Sequence, residues 1–240
     1  MTGDLVDTPL LELRDIHADI GQHHILQGVS LRVRRDAVTV LIGRNGAGKT
    51  TTLRTVMGLI AARRGEVRFD GQPIVGRSPH LVARLGIGYV PEGQGIFGTL
   101  TVDENLRVAQ RTFDAAAPDR FRRVFELFPD LGRFRRARAA TLSGGQKQML
   151  AIARAMVNPN RLLLVDEPSK GLAPIVVEHL TEALRAMKRA LTVVLVEQNL
   201  VMAEALGDDF CLLDDGRTVH AGPMAELAAD AALKQGYLGV

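Results

Sequence analysis

The stretch 38-VTVLIGRNGAGKTTTLRTVMGLI-60 decides how this chain folds. Five apolar-rich residues, Val38 to Ile42, read as a strand covered on both faces. Then come Gly43, Arg44, Asn45, Gly46, Ala47, Gly48, Lys49 and Thr50, a full G-x-x-x-x-G-K-[ST] match, with Thr51 behind it. The residues from Lys49 on read as a helix. A strand, this spacing of glycines and a helix together define a phosphate-binding loop. The glycines let the backbone curl so that its N–H groups face phosphate oxygens, and the helix N-terminus adds positive potential. Lys49 is placed to reach the β- and γ-phosphates, and the Thr50 hydroxyl to hold Mg²⁺.

Two more apolar runs resemble the first. Residues 162-LLLVDE-167 and 192-TVVLVE-197 each end in acid. Three such runs imply an α/β fold with a central, largely parallel sheet and helices on both sides. Asp166, delivered to a strand end beside the phosphate loop, suits a Mg²⁺ partner. Glu167 suits a general base that polarises the attacking water. Taken alone, an acidic pair after a strand is as often a structural cap, so the phosphate loop is what gives these carboxylates their role.

Around this core the pattern changes. Near the start, 10-LLELRDI-16 and 29-VSLRV-33 alternate apolar and polar positions, and 66-EVRFDGQPI-74 carries an Asp-Gly hairpin signal. These predict an antiparallel β portion. From about residue 93 to 157 the chain reads as an inserted helical segment, between core portions at about 10–92 and 158–222. Thr101 and Glu104 form a capping-box pattern. A later helix starts near Ser143. The Ala-rich tail, about 223–240, reads as one helix and a loose end.

Composition sets outer limits. A chain of 240 residues suits one large α/β domain, and 46% hydrophobic residues are enough for a sizeable core. The net charge of +3 gives no case for nucleic acid as a partner. The single cysteine, Cys211, excludes an internal disulfide and reads as a small core residue. The opening residues lack the basic start and apolar run of a secretory leader. No run approaches the roughly 20 apolar residues that span a bilayer, so any membrane crossing falls to other chains.

The segment 142-LSGGQKQMLAIARAM-156 places Ser143, Gly144, Gly145 and Gln146 at a helix start, a second anion site. One nucleotide does not need two such sites in one chain, but two facing chains can share them. Here the residues carry a resemblance. "GRNGAGKTT", "LSGGQ" and "LLLVDEP", in this order, resemble the ATP-binding subunit of an ABC transporter over nearly the whole chain. The resemblance implies a head-to-tail dimer in which Ser143 to Gln146 cover the γ-phosphate bound to the other chain. It implies ATP and Mg²⁺ as cofactors, and dimer closure that drives two transmembrane permease subunits from the cytoplasmic face of the membrane. The stretch 167-EPSKGLAP-174 resembles the family's loop at the dimer interface, with Lys170 unusual there.

Most of that superfamily has a histidine after the last core strand and a glutamine after "VP". This chain has Gln198 and Glu92. With "VPEG", "VEQN" and the ending "GYLGV", the chain resembles the second ATPase of branched-chain amino-acid importers, the LivF type. That implies a LivG-like second ATP-binding subunit, a homodimer being the alternative, and an extracytoplasmic solute-binding protein acting indirectly. Gln198 can donate to a phosphate oxygen but cannot become a cation near neutral pH. A carboxylate at 92 near a γ-phosphate is repelled by about 4 kcal/mol per charge pair at an effective dielectric near 20, so Glu92 is expected to face the metal or its waters, with protonation as the alternative. Gln94, two residues on, is the alternative to the family's glutamine. Ile20 stands where relatives place an aromatic residue on adenine, which weakens stacking unless His23 or His24 supplies a ring.

Other features divide the same way. The basic run Arg133 to Arg138 reads as a solvated helix face rather than a lipid contact. The resemblance implies that Ile96, Phe97 and Leu100 belong to the segment that docks a permease helix, with core packing as the alternative. A non-transport ABC ATPase would bring two ATPase domains or a long coiled-coil insert, and this chain has neither. Urea, short amides or another organic solute remain alternatives for the cargo.

Overall fold

The computed structural model describes residues 8–111, 113–188 and 191–239. Residues 1–7, where the leader would begin, and the terminal Val240 lie outside them. Three buried strands form the centre: β3 (Val38–Ile42), β7 (Leu162–Asp166) and β8 (Thr192–Val196). Every residue in them is buried. With β6 (Ile87–Val90), β9 (Asp209–Asp214) and β10 (Arg217–Pro223) they make a six-stranded sheet of order β10-β9-β3-β8-β7-β6. All neighbours in it are parallel except β9 and β10, which close an antiparallel hairpin at the edge.

Alternate residues of each central strand enter two separate cores. Val40, Leu163, Val165, Val193 and Leu195 face one, while Leu41, Leu162, Leu164, Val194 and Val196 face the other. Burying such a side chain contributes about 1.5–3 kcal/mol, so both faces of the sheet must be covered. The second core is closed by a four-stranded antiparallel sheet. Its order is β2-β1-β4-β5, from β1 (Leu11–Ile20), β2 (His23–Val33), β4 (Ala62–Phe69) and β5 (Gln72–Pro73). Asp70 and Gly71 turn β4 into β5 at φ 52° and 75°, as the Asp-Gly signal predicts. In β1 the apolar alternation changes phase between Leu13 and Ile16, where the register shifts and Asp15 adopts φ 48°. That bulge keeps Ile16 and Ala18 facing inward.

The other core is covered by helices. α1 (Lys49–Val56) and α2 (Pro79–Arg84) instead pack into the core under the antiparallel sheet through Leu53, Val56 and Val82, whereas α3 (Val102–Ala109), α4 (Ala117–Leu127), α5 (Pro129–Arg133) and α6 (Gly144–Met156) cover this one. Leu106, Val124, Phe128, Leu131 and Leu150 pack into the same cluster as β3 and β7. α7 (Pro174–Lys188) and α8 (Leu200–Leu206) complete this layer. The Thr101–Glu104 capping box is present at the start of α3.

Two expectations are corrected. The tail carries two helices, α9 (Met224–Ala229) and α10 (Ala231–Leu238), not one. Asp230 breaks them apart by leaving the helical conformation and accepting from the Leu233 amide at 2.8 Å as the cap of α10. The basic run is not a helix face either. α5 ends at Arg133, and Arg135 turns back to Asp103 at 2.6 Å and lies over the Phe125 ring at 5.0 Å. Cys211 is buried, as expected of a core residue.

Candidate functional site

The site starts where β3 runs out. Gly43, Gly46 and Gly48 adopt φ 148°, 84° and 100°, angles that L side chains rarely allow. Space also excludes a side chain at two of them. A Cβ at Gly43 would overlap the Leu213 carbonyl oxygen, and one at Gly48 would come within 2.8 Å of Leu26. Gly48 begins α1 with no side-chain cap, so the amides of the first turn stay open to a ligand. Lys49 is buried and folds back to donate to the carbonyls of Gly43 at 2.8 Å and Arg44 at 3.1 Å. Burial lowers its pKa, an effect that the nearby Glu167 and Asp166 oppose. An ammonium whose hydrogen bonds go to neutral carbonyls, with Glu167 at the longer distance of 3.8 Å, is a receptor for anionic phosphate.

Strand β7 delivers Asp166 beside Thr50. The Thr50 hydroxyl donates to Asp166 Oδ1 at 3.0 Å, and the Tyr89 hydroxyl donates to Oδ2 at 3.2 Å. Asp166 is wholly buried with these two neutral donors, and burial raises its pKa. Burial, with Asp166 adding to it, pushes the Tyr89 phenol up to about 12, so it remains a donor. A buried carboxylate beside a hydroxyl, both hard oxygen donors, fits a magnesium ion that takes its other ligands from phosphate and water. Consistently, among the described residues no group of three or more acidic, His or Cys side chains forms a protein-only metal cage.

Glu167 follows in the left-handed region, at φ 46°, with its amide bonded to the Val196 carbonyl at 2.9 Å. This backbone conformation is costly for a non-glycine residue and is found at constrained functional positions. Gln198 Nε2 donates to Glu167 Oε1 at 2.5 Å, and Lys49 Nζ lies 3.8 Å from the same oxygen. The Gln198 amide, expected on a phosphate oxygen, gives one of its two N–H donors to Glu167 and keeps the other. The adjoining Glu197 is buried and accepts from the Ser169 amide and hydroxyl at 2.9 and 2.8 Å and from the amides of Gln198 and Asn199 at 3.1 and 3.2 Å. It fixes the loops after β7 and β8 to each other.

Glu92 is bonded to Lys170 rather than to Thr50 or Asp166. Its Oε1 accepts from Lys170 Nζ at 2.6 Å, and the same ammonium lies 3.5 Å from Glu167 Oε2. Gln94 donates instead to the Gly144 carbonyl at 3.5 Å. Ser143 caps α6 by accepting from the Gln146 amide at 3.2 Å, while Gln146 Oε1 accepts from the Ser143 amide at 3.0 Å. Gly145 packs so closely on Val176 that a Cβ would overlap it. Ile20 is 46% exposed at the end of β1 and carries no ring, and His24 is held by Asp19 at 2.6 Å. Phe97 is 45% exposed and lies under the Arg154 guanidinium at 4.9 Å, so it is not core.

Sequence patterns give no role to three residues. Tyr89 and Glu197 are described above. The third is Asn105, fully buried on α3, which accepts from the Phe97 amide and donates to the Phe97 and Thr101 carbonyls, each at 2.9 Å. Its signal is an amide on an apolar helix face beside Val102 and Leu106.

A cleft of about 360 Å³ opens between Gly43–Asn45 and Glu197–Gln198. A larger groove of about 530 Å³ lies between the two sheets, but its charge is spent internally, with Arg34 forked onto Asp209 at 2.7 and 2.9 Å. The smaller cleft lies against the first residues of the glycine-rich loop and the end of β8.

Fold and site define a P-loop nucleotide-binding ATPase. The family model described as ABC transporter matches residues 26–170, and the chain belongs to that family as an ATP-binding, ATP-hydrolysing subunit. It is 39% identical over 234 residues to the high-affinity branched-chain amino acid transport ATP-binding protein BraG of Pseudomonas aeruginosa, covering 96% of this chain and 100% of that one. It is 34% identical to a probable branched-chain amino acid transport ATP-binding protein LivF of Archaeoglobus fulgidus, over 96% and 99% of the two chains. A solved structure of the ATP binding subunit of an ABC transporter superposes with a TM-score of 0.81 at 29% identity, covering 96% of each chain. Among the described residues, no helix is long and apolar enough to cross a membrane.

Proposed function

We propose that this chain is the motor subunit of an importer for branched-chain or related hydrophobic amino acids. It works at the cytoplasmic membrane face with two permease subunits and a second, LivG-like ATP-binding subunit. The observation that carries the ATPase part is the grouping of Lys49, Thr50, Asp166 and Glu167 beside the ends of β3 and β7, with Thr50 bonded to Asp166 at 3.0 Å and Lys49 3.8 Å from Glu167. The cargo rests on the likeness to BraG and LivF.

In this reading the backbone of Gly43–Thr51 and the Lys49 ammonium hold the β- and γ-phosphates. Thr50 and Asp166, with Glu92 through water, would hold Mg²⁺, which when bound neutralises charge on the phosphates. Glu167 takes the proton of the attacking water as its oxygen bonds the γ-phosphorus and the bond to the β,γ-bridging oxygen breaks, releasing phosphate and ADP, and Gln198 orients Glu167. Ile20 covers part of the adenine without stacking on it. Ser143 to Gln146 cover the nucleotide held by the second subunit. The core segments, 10–92 and 158–222, carry the cleft, and the helical segment, 93–157, faces the permease.

Replacing Glu167 by Gln lowers ATP turnover by about two to four decades while binding persists, measured as phosphate release and nucleotide affinity side by side. Retained turnover places the base elsewhere. Tagging the chain and recovering it gently from native membranes tests the assembly. Two multi-span proteins and a second ATPase support the reading, whereas soluble companions alone overturn it.

A further inference from the structure

Lys170 interrupts the otherwise familiar stretch 167-EPSKGLAP-174, and Glu92 stands where a neutral amide was expected. The fold brings these two departures together across 78 residues of sequence. The Lys170 ammonium bonds Glu92 at 2.6 Å and lies 3.5 Å from Glu167 Oε2, while Lys49 lies 3.8 Å from Oε1 of that carboxylate. Two ammonium groups therefore bracket one carboxylate, and one of them also holds the loop after β6. That loop is short and tightly bonded, with the Gln94 amide on the Pro91 carbonyl at 3.0 Å and the Gly95 amide on Gly93 at 2.6 Å. It leads through Phe97 to α3. The Lys170 side chain is 58% exposed, so it can turn away without breaking a core. Its charge is strengthened by Glu92 first and Glu167 next.

We propose that Lys170 is a positioning residue, an ion-pair latch that ties Glu92 to Glu167 while the cleft is empty and releases them to a bound triphosphate. The proposal rests on Glu167 as the base and on Gly43–Thr51 as the phosphate cradle. The release follows from charge. A terminal phosphate carries more negative charge than either carboxylate and arrives beside the Lys49 end of the same cluster, so it competes for the second ammonium. A diphosphate lacks that terminal group and leaves the latch closed.

Amide hydrogen exchange over residues 91–95 tests this on the full chain. The wild type, Lys170→Leu, Lys170→Arg and the charge swap Glu92→Lys with Lys170→Glu are compared without nucleotide, with a non-hydrolysable ATP analogue, and with ADP. In the empty chain, Lys170→Leu speeds exchange by about fivefold, and Lys170→Arg and the swap restore protection. In the wild type the analogue speeds exchange and ADP does not. Equal exchange in wild type and Lys170→Leu, or equal opening by ADP and the analogue, overturns the latch. If Lys170→Leu does not fold, Lys170→Gln carries the same comparison. A wild type that binds no nucleotide refutes the proposed function, while the empty-chain comparison still reads the ion pair itself.

Discussion

Helices α1 and α6 each begin at glycines, and each is a candidate to meet phosphate, yet they end differently. α1 starts at Gly48 with no side-chain cap, against a buried lysine. α6 starts at Ser143 with both arms of a capping box made by its own Ser143 and Gln146. The box satisfies the Ser143 and Gln146 amides and leaves those of Gly144 and Gly145 outside it. Its serine accepts through a lone pair, so the hydroxyl proton is still free to donate. The first helix offers a whole turn of donors and a cation, a cradle that needs a ligand. The second offers two amides and one hydroxyl from a closed end, which suits a cover laid on a phosphate already held.

The largest test of that contrast is Lys49→Ala. If α1 is the cradle, ATP affinity of the isolated chain falls by about two decades, the loss of charge-assisted bonds to phosphate. Ser143→Ala should leave that affinity intact, and equal losses in the two variants would erase the distinction. Next comes Glu197→Gln, which probes what backs the cradle. An amide cannot accept from all of Ser169, Gln198 and Asn199, so the variant loses about 1–3 kcal/mol of stability in denaturant titration. Its pH dependence has a definite sign. Burial raises the Glu197 pKa above 4.5, so the folded state binds that proton more tightly than the unfolded one. Stability from this group therefore falls as pH rises above about 4.5, and the Gln variant loses that slope.

Ser143→Ala itself should cost about 1 kcal/mol of stability in the isolated chain, the value of a lost N-cap. No change would mean that the box is not closed in solution. The smallest effect is expected from Ile20→Tyr. It should tighten ATP and ADP binding alike by about 1 kcal/mol through adenine stacking. Tightening of one nucleotide alone would show that the base and phosphate ends are coupled.

How much of this is legible in the sequence depends on contiguity. The phosphate loop and the Asp166–Glu167 pair are runs of neighbours, so strand, turn and helix signals in the sequence are enough to place them. Continuous apolar runs identify β3, β7 and β8 for the same reason. Partnership between distant side chains is not legible. Glu92 and Lys170 each look odd alone, and a linear pattern cannot say that one neutralises the other. Strand position assigns Gln198 to phosphate, whereas its side chain reaches Glu167. Tyr89 and Glu197 sit in apolar strands or at their ends, where period alone does not reveal a polar function. The break at Asp230 is hidden because a single capping residue inside an Ala-rich run weighs little against helix propensity.

One contact has a mechanical consequence. Arg154, in the last turn of α6, bonds the Gly95 carbonyl and lies over Phe97, while Ser143 caps the other end of the same helix. Thirteen residues at a rise of about 1.5 Å make α6 a rod of about 20 Å. A rod gripped at both ends transmits rotation, so a tilt of about 5° that pivots on the serine end would displace the arginine end by nearly 2 Å. On the proposed reading, in which Ser143 covers a nucleotide, this one rod joins the covering end to the exposed Phe97, and Leu150 and Ile152 hold its flank in the core.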